Sequence, residues 1–266
     1  MMNIMKKYEK IPAKEAIVMF YDDAIKEYAE MTHSINAHYC KKHNIDLIVH
    51  HEPFYADRHA AWNRIPMLLL HLQNYRHVAY IDADAFFYRE SKNIFGLCSQ
   101  DKDFYFSNDR SVDRINSGFF IVKNSPYAHK FLETWAYDEE LYQTHKDSPF
   151  WDQSALNDLY DSNFEGIQER SVMYDYGFLQ HFRLDEEFKP RPYIFHAAGK
   201  TRDHRLETFR KYMSYLERVS KKSTRHSLGN LTEKIESVNE KEANPNQSNE
   251  ITAPTVTFIN TRRKPI

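Results

Sequence analysis

The sequence predicts an α/β domain built on a central, mostly parallel sheet flanked by helices. Short apolar runs at 16–21, 47–49 and 77–81 alternate with two segments of helical periodicity. Strand, helix, strand, helix, strand is the order that lays parallel strands side by side with helical crossovers. In the first run six consecutive positions are apolar, as a strand covered on both faces requires. The 266 residues are 41% hydrophobic and 15% aromatic, enough to fill one large core.

The elements follow in order. Ala16-Ile17-Val18-Met19-Phe20-Tyr21 is the first strand. Ile25, Tyr28, Ala29, Thr32, Ile35 and Tyr39 then recur at helical spacing with charged residues between them. Leu47-Ile48-Val49 is a second strand. Ile65, Leu68, Leu69 and Leu72 mark a second helix, in which Pro66 is tolerated only in the first turn. His77 to Ile81 is a third strand, running into Asp82-Ala83-Asp84.

Further along, Phe104-Tyr105-Phe106 and Gly118 to Val122 read as strands. Ser125-Pro126 and Ser148-Pro149 each have the form of an N-cap followed by proline at the first helical position. The helix after Pro126 puts Tyr127, Phe131 and Trp135 on one face. Tyr193 to His196 is a final strand, and Leu206, Phe209, Met213 and Leu216 mark a last helix. From Ser220 to Ile266 the only aromatic is Phe258. Such a segment buries too little apolar area to offset the entropy of ordering it. One domain over 1–219 and a polar, disordered tail over 220–266 are therefore expected.

Composition removes several function classes. Lys and Arg number 36 against 38 Asp and Glu, a net charge of −2, so nothing draws the chain as a whole to nucleic acid. The closest two of the six glycines lie eleven residues apart, which excludes both GxGxxG and a Walker A loop. Two cysteines, Cys40 and Cys98, cannot make a four-cysteine zinc site and suit a reducing compartment. No HExxH occurs among the fourteen histidines. No apolar run approaches the roughly 18 residues of a membrane span. Met1 to Lys10 shows no hydrophobic signal region, so a cytoplasmic location is expected.

Paired aspartates are cheap: with 18 Asp in the chain, chance alone yields about one pair at spacing two. There are two. Asp101 and Asp103 lie in a polar stretch and read as a solvated turn. Asp82 and Asp84 instead follow Val78-Ala79-Tyr80-Ile81 and precede Ala85-Phe86-Phe87. Carboxylates in such a segment suffer desolvation, and in extended geometry they share a side and repel. A divalent cation relieves both problems, and hard oxygen ligands suit Mg²⁺ or Mn²⁺. The pair also falls at the carboxyl end of a strand, where parallel sheets gather ligands. The plainer alternative is a turn cap at Asp82 with Asp84 paired to a lysine.

His196 ends another apolar strand and precedes Gly199, Lys200, Arg202 and Arg205. A lone histidine there is commonly a satisfied core residue. With two carboxylates and a basic loop it would instead hold a metal-bridged diphosphate. Asn116-Ser117-Gly118 is either a turn or an amide beside a sugar hydroxyl, with Gly118 leaving room for the ligand. Asp152 and Gln153 open a helix whose dipole already favours the acid.

In the order Trp62-x-Arg64-x-Pro66, Tyr80-Ile81-Asp82-Ala83-Asp84-Ala85, Ile115-Asn116-Ser117-Gly118-x-Phe120, Pro126 through Trp135, Asp152-Gln153-Ser154-Ala155 and His196-x-x-Gly199, these motifs resemble glycosyltransferase family 34. That family comprises fungal Golgi α-galactosyl/mannosyltransferases and plant xyloglucan xylosyltransferases. The resemblance covers about Ala16 to Arg205. It implies a GT-A fold, a nucleotide-sugar donor, Mn²⁺ dependence and retention of anomeric configuration. Asp82 and Asp84 match the metal-binding pair and His196 the third protein ligand. Tyr21 falls where the nucleotide base is contacted, Arg64 near the donor, and Asn116, Asp152 and Gln153 in the sugar and acceptor cleft. Lys200 is placed to meet the diphosphate. The plant members have serine between the two aspartates, where this chain has Ala83.

The expected function is metal-dependent transfer of a hexose such as galactose or mannose, from a UDP- or GDP-sugar to a glycan or glycolipid. Asp152 and Gln153 are the catalytic candidates, and the binding set is Tyr21, Arg64, Asp82, Asn116, Gly118 and Lys200. Two alternatives stay open: a haloacid-dehalogenase-like phosphotransferase, which also places Asp-x-Asp at a strand end, and a non-catalytic sugar-nucleotide binder. Over 205–225 an apolar stripe faces Arg210, Lys211, Arg218, Lys221 and Lys222. It packs onto the domain or lies on an anionic membrane.

Overall fold

A computed structural model describes residues 14–109, 114–182 and 192–219. The chain divides into two units, Met1–Met213 and Ser214–Ile266. Of the second, only 214–219 are described, and they are helical. The tail expected over 220–266 lies outside the described residues, as does the part of the apolar stripe beyond 219.

Within the first unit, β1 (Glu15–Phe20), β2 (Asp46–His50), β3 (His77–Ile81), β5 (Phe104–Ser107), β6 (Phe119–Lys123) and β7 (Ser171–Tyr174) form one sheet, in the order β2-β1-β3-β6-β5-β7. β1 pairs in parallel with β2 and β3, and β5 with β7. β6 runs antiparallel to both β3 and β5. The sheet is mostly parallel, as expected, with one reversed strand inside it. Direct crossovers explain the parallel half. α1 (Lys26–His43) joins β1 to β2, and α2 (Arg64–Leu72) precedes β3, with Pro66 in its first turn.

Of a second, three-stranded sheet, the local pattern marks only the strand that ends at His196. The sheet orders β4 (Ala85–Phe87), β9 (Ile194–His196) and β8 (Gln180–His181). β4 and β8 are three and two residues long, too short to show a period. β4 pairs antiparallel with β9 and sets Ala85 opposite His196. That register brings a residue from far downstream beside the aspartate pair.

The remaining helices are α3 (Pro126–Tyr137), α4 (Glu139–His145), α5 (Asp152–Asp161) and α6 over 202–219. Ser125 caps α3 as expected, its hydroxyl accepting from the Ala128 amide, with Pro126 in the first turn. Phe131 and Trp135 are buried. The second Ser-Pro differs: α5 begins at Asp152, not Pro149, behind Trp151 at a φ of 46°. Asp103 also departs from expectation. It is 2% exposed, accepts from the Ser125 hydroxyl at 2.6 Å and pairs with Arg170 at 2.5 Å, so it is a buried brace and not a solvated turn. Leu206, Phe209 and Tyr212 of α6 are buried in the first unit, with Phe209 and Tyr212 against Phe86. Over that span the apolar side of the helix is covered by the domain.

His77 opens β3 with both ring nitrogens buried and unpartnered. Burial, and then the nearby Arg76 and Lys123, push its pKa from 6.5 down to about 4. A group depressed in this way contributes stability that is present above the unfolded value and lost as pH falls. Denaturant titrations should show stability declining between pH 6.5 and 4, and His77→Phe should remove about 3 kcal/mol of that decline. An equal decline in the variant would contradict this reading.

Candidate active site

The third strand ends where two ionisable groups follow five buried residues. Asp82 accepts a hydrogen bond from the Ala85 amide through its carbonyl, so the Asp-Ala-Asp segment turns sharply after β3. α1 fastens that turn from below. The Thr32 hydroxyl donates to the Ala83 carbonyl at 2.7 Å, and the Asn36 amide donates to the Ala85 carbonyl and accepts from the Phe87 amide. The backbone of the pair is therefore held before any ligand arrives.

Three side chains converge here. His196 Nε2 lies 3.1 Å from Asp84 Oδ1 and 3.6 Å from Asp82 Oδ2. One ligand atom from each of Asp82, Asp84 and His196 can be chosen so that all lie within 4.8 Å of one another. Two carboxylates and an imidazole form a donor set suited to a divalent cation. The His196 ring is itself oriented, since its Nδ1 meets the Gln180 amide oxygen at 3.2 Å. Gln180 in turn donates to Asn116 Oδ1 at 3.1 Å.

Two arginines neutralise what the imidazole does not. Arg205, from α6, places its guanidinium 2.6 Å from Asp84 Oδ2. Arg64, at the start of α2, spans Asp82 at 3.4 Å and Asp152 at 3.2 Å, and donates to the carbonyl and hydroxyl of Ser117. Burial works against ionisation of Asp84, but His196 and Arg205 outweigh it and hold that carboxyl at about 2. Asp82 moves the other way: burial raises it against the pull of Arg64 and His196. Burial also lifts Asp152 to about 7, opposed by Arg64 and aided by Asp82. The His196 imidazole is raised against its burial by Asp84.

The cluster lines a cavity of about 730 Å³. Arg64, Asp82, Asp84, Asn116, Asp152, Gln153 and His196, all expected at the site, share it with Ser117, Gly199 and Arg205. Gln153 is fixed there by accepting from the Ser117 amide at 3.0 Å. Asn116 is committed internally, accepting from the Gly118 amide and from Gln180. Three expected residues, Tyr21, Lys200 and Gly118, do not line this cavity. Tyr21 lines an adjoining cavity of about 620 Å³ with His51 and Glu30, and its hydroxyl meets His33 at 3.1 Å. Lys200 does not line the main cavity, and Arg205 is the cation that reaches the aspartates. Gln180 and Ser117 join the site beyond the expected set. Ser117 had a signal in its motif, whereas nothing around Gln180 marked it.

Gly118 does not line the cavity, and its role differs from leaving ligand room. A Cβ there would sit 2.1 Å from His196 Cε1 and 2.8 Å from Asp82 Oδ2. The imidazole and the carboxylate meet only because position 118 has no side chain. Gly118→Ala should weaken divalent-ion binding, read by calorimetry, at least about tenfold while leaving the far-ultraviolet dichroism native. Wild-type affinity in that variant would contradict the assignment.

A family model described as nucleotide-diphospho-sugar transferase matches residues 14–208. No curated protein matches. Among solved structures, a glycosyltransferase involved in glycosylation of the major capsid of PBCV-1 is similar, with a TM-score of 0.60 and 17% identity, covering 74% of this chain and 99% of that one. The glycosyltransferase GlyE of Streptococcus pneumoniae TIGR4 gives 0.50 and 15%, covering 74% of this chain and 61% of that one. At such identities the likeness speaks for the fold, which is of the GT-A type. Because the family model runs from the first strand to the helix that carries Arg205, the chain belongs to the nucleotide-diphospho-sugar transferase family and is an enzyme of the glycosyltransferase class.

Proposed function

We propose that the enzyme moves a hexose, such as galactose or mannose, from a UDP- or GDP-sugar to a glycan or glycolipid acceptor with retention of anomeric configuration. The observation that carries this reading is the convergence of Asp82, Asp84 and His196 in one cavity with Arg64, Asp152 and Gln153. The order of the motifs supports kinship with glycosyltransferase family 34. The free thiols of Cys40 and Cys98 favour a reducing, cytoplasmic setting.

Asp82, Asp84 and His196 hold Mn²⁺ or Mg²⁺ in this reading. The ion supplies electrostatic stabilisation of negative charge on the leaving diphosphate. Arg205 is tethered to Asp84 and adds positive charge on the same side, with Lys200 on the loop between His196 and α6. Asp152 and Gln153 orient the transferred sugar from the start of α5. The bond between the anomeric carbon and the phosphate oxygen breaks, and a bond from that carbon to the acceptor oxygen forms on the same face. The acceptor's proton passes to the departing phosphate. No side chain is needed as a covalent nucleophile, because the leaving group is already activated.

The best variant removes charge without removing shape. Arg64 is a poor choice, since breaking its buried pair with Asp152 would cost about 3–5 kcal/mol of stability. Asp84→Asn keeps the volume. It should reduce Mn²⁺-dependent hydrolysis of a nucleotide-sugar at least about a hundredfold while thermal unfolding stays cooperative. Undiminished turnover would contradict the metal role. Proton NMR of the product from wild-type protein should show the donor's anomeric configuration, and an inverted product would contradict retention.

A further inference from the structure

The cavity has an uncharged, aromatic side that the chemistry above does not use. His59 and Trp151 lie face to face there, their ring centroids 3.5 Å apart and 5° from parallel. Phe150, 48% exposed, lines the same cavity beside them. We propose that the His59–Trp151 stack, with Phe150, is a platform for a pyranose ring of the acceptor. This inference rests on the hexosyltransferase reading and names its acceptor subsite.

The Trp151 backbone and the residue before His59 are both held by their surroundings. Trp151 adopts a φ of 46°, a conformation that a bulky residue keeps only when its surroundings hold it. The neighbour of His59, Arg58, is held with its guanidinium 4.2 Å from the Tyr55 ring and 3.9 Å from the Tyr142 ring. Both halves also connect directly to the reacting end. Trp151 immediately precedes Asp152, and the 60–63 turn after His59 leads into Arg64, which pairs with Asp152.

The chemistry of the plate selects the occupant. A phosphate would seek cations, and these three residues offer none that is charged at neutral pH. Burial, then Arg64, lowers the His59 pKa and keeps its ring neutral. His59 Nδ1 accepts from the Ala61 amide at 3.3 Å, so the proton of the neutral ring belongs on Nε2. A flat, electron-rich face with one N–H donor suits the C–H face and hydroxyls of a pyranose. A nucleobase would also stack. However, the plate adjoins Asp152 and Gln153, which act on sugar, whereas Phe20, Asp22 and Ile25 line the cavity at the end of β1, where parallel sheets take their nucleotides.

Tryptophan emission reports on this site, because Trp62 and Trp135 are 1% and 0% exposed. The full chain would be titrated with methyl hexopyranosides, with uridine and guanosine, and with acyclic sorbitol. A saturable change with at least one pyranoside is expected, and little with the other compounds. His59→Ala should weaken that affinity about fivefold, and His59→Phe should restore it to within about twofold. The absence of a saturable change, an equal response to sorbitol, a response to nucleosides alone, or unchanged affinity in His59→Ala would each overturn the platform. Nucleotide-sugar hydrolysis by the same preparation scores the transferase reading separately. Turnover without a pyranoside response removes the platform alone, and lack of turnover removes the reading beneath it.

Discussion

Three carboxylates, Asp82, Asp84 and Asp152, are gathered around one cavity behind buried strand and helix ends. Left alone they would repel and pay heavily for lost solvation. Two arginines and one histidine prevent this. Arg64 bridges Asp82 and Asp152, Arg205 takes one oxygen of Asp84, and His196 lies between the pair. The network places every formal charge within reach of an opposite one while leaving carboxylate oxygens and the imidazole directed at a common point. A site of this kind is poised for a divalent cation and a phosphorylated ligand, and the remainder of the fold serves to assemble it.

The two sheets divide that task. β3 leads directly into Asp82, and the antiparallel β6 begins one residue after Gly118, whose carbonyl accepts the Asp82 amide at 2.8 Å. The small sheet then brings His196 alongside through the β4–β9 pairing. Because Gly118 sits where these layers meet, a single missing Cβ decides whether the imidazole can approach the acids. α1 anchors the turn through Thr32 and Asn36, so the geometry comes from neutral side-chain hydrogen bonds to the backbone as much as from charge.

Much of this was legible in the residues themselves. The first three strands, α1, α2 and the Ser125 cap follow from local apolar spacing and cap chemistry, and the structure keeps them. Asp82 and Asp84 stood out because charge interrupted an apolar run. What stayed hidden depends on distant pairing. β4 and β8 are too short to carry a period, and the direction of β6 follows from its partners and not from its own composition. Asp103 looked solvated because its cover, Ser125 and Arg170, comes from elsewhere in the chain. Arg205 was visible only as one of several basic residues after His196. That it, and not Lys200, reaches Asp84 follows from where α6 starts and how Phe209 and Tyr212 seat it. Gln180 had no local mark at all, since its role is to orient a histidine sixteen residues away.

The most direct test is spectroscopic. Pulsed electron paramagnetic resonance of the full chain loaded with Mn²⁺ should reveal coupling to one directly bound imidazole nitrogen. That coupling should vanish in His196→Ala, with the signal of oxygen-ligated ion remaining. A spectrum without nitrogen coupling in the wild type, or with the same coupling in the variant, would contradict the arrangement on which the account rests.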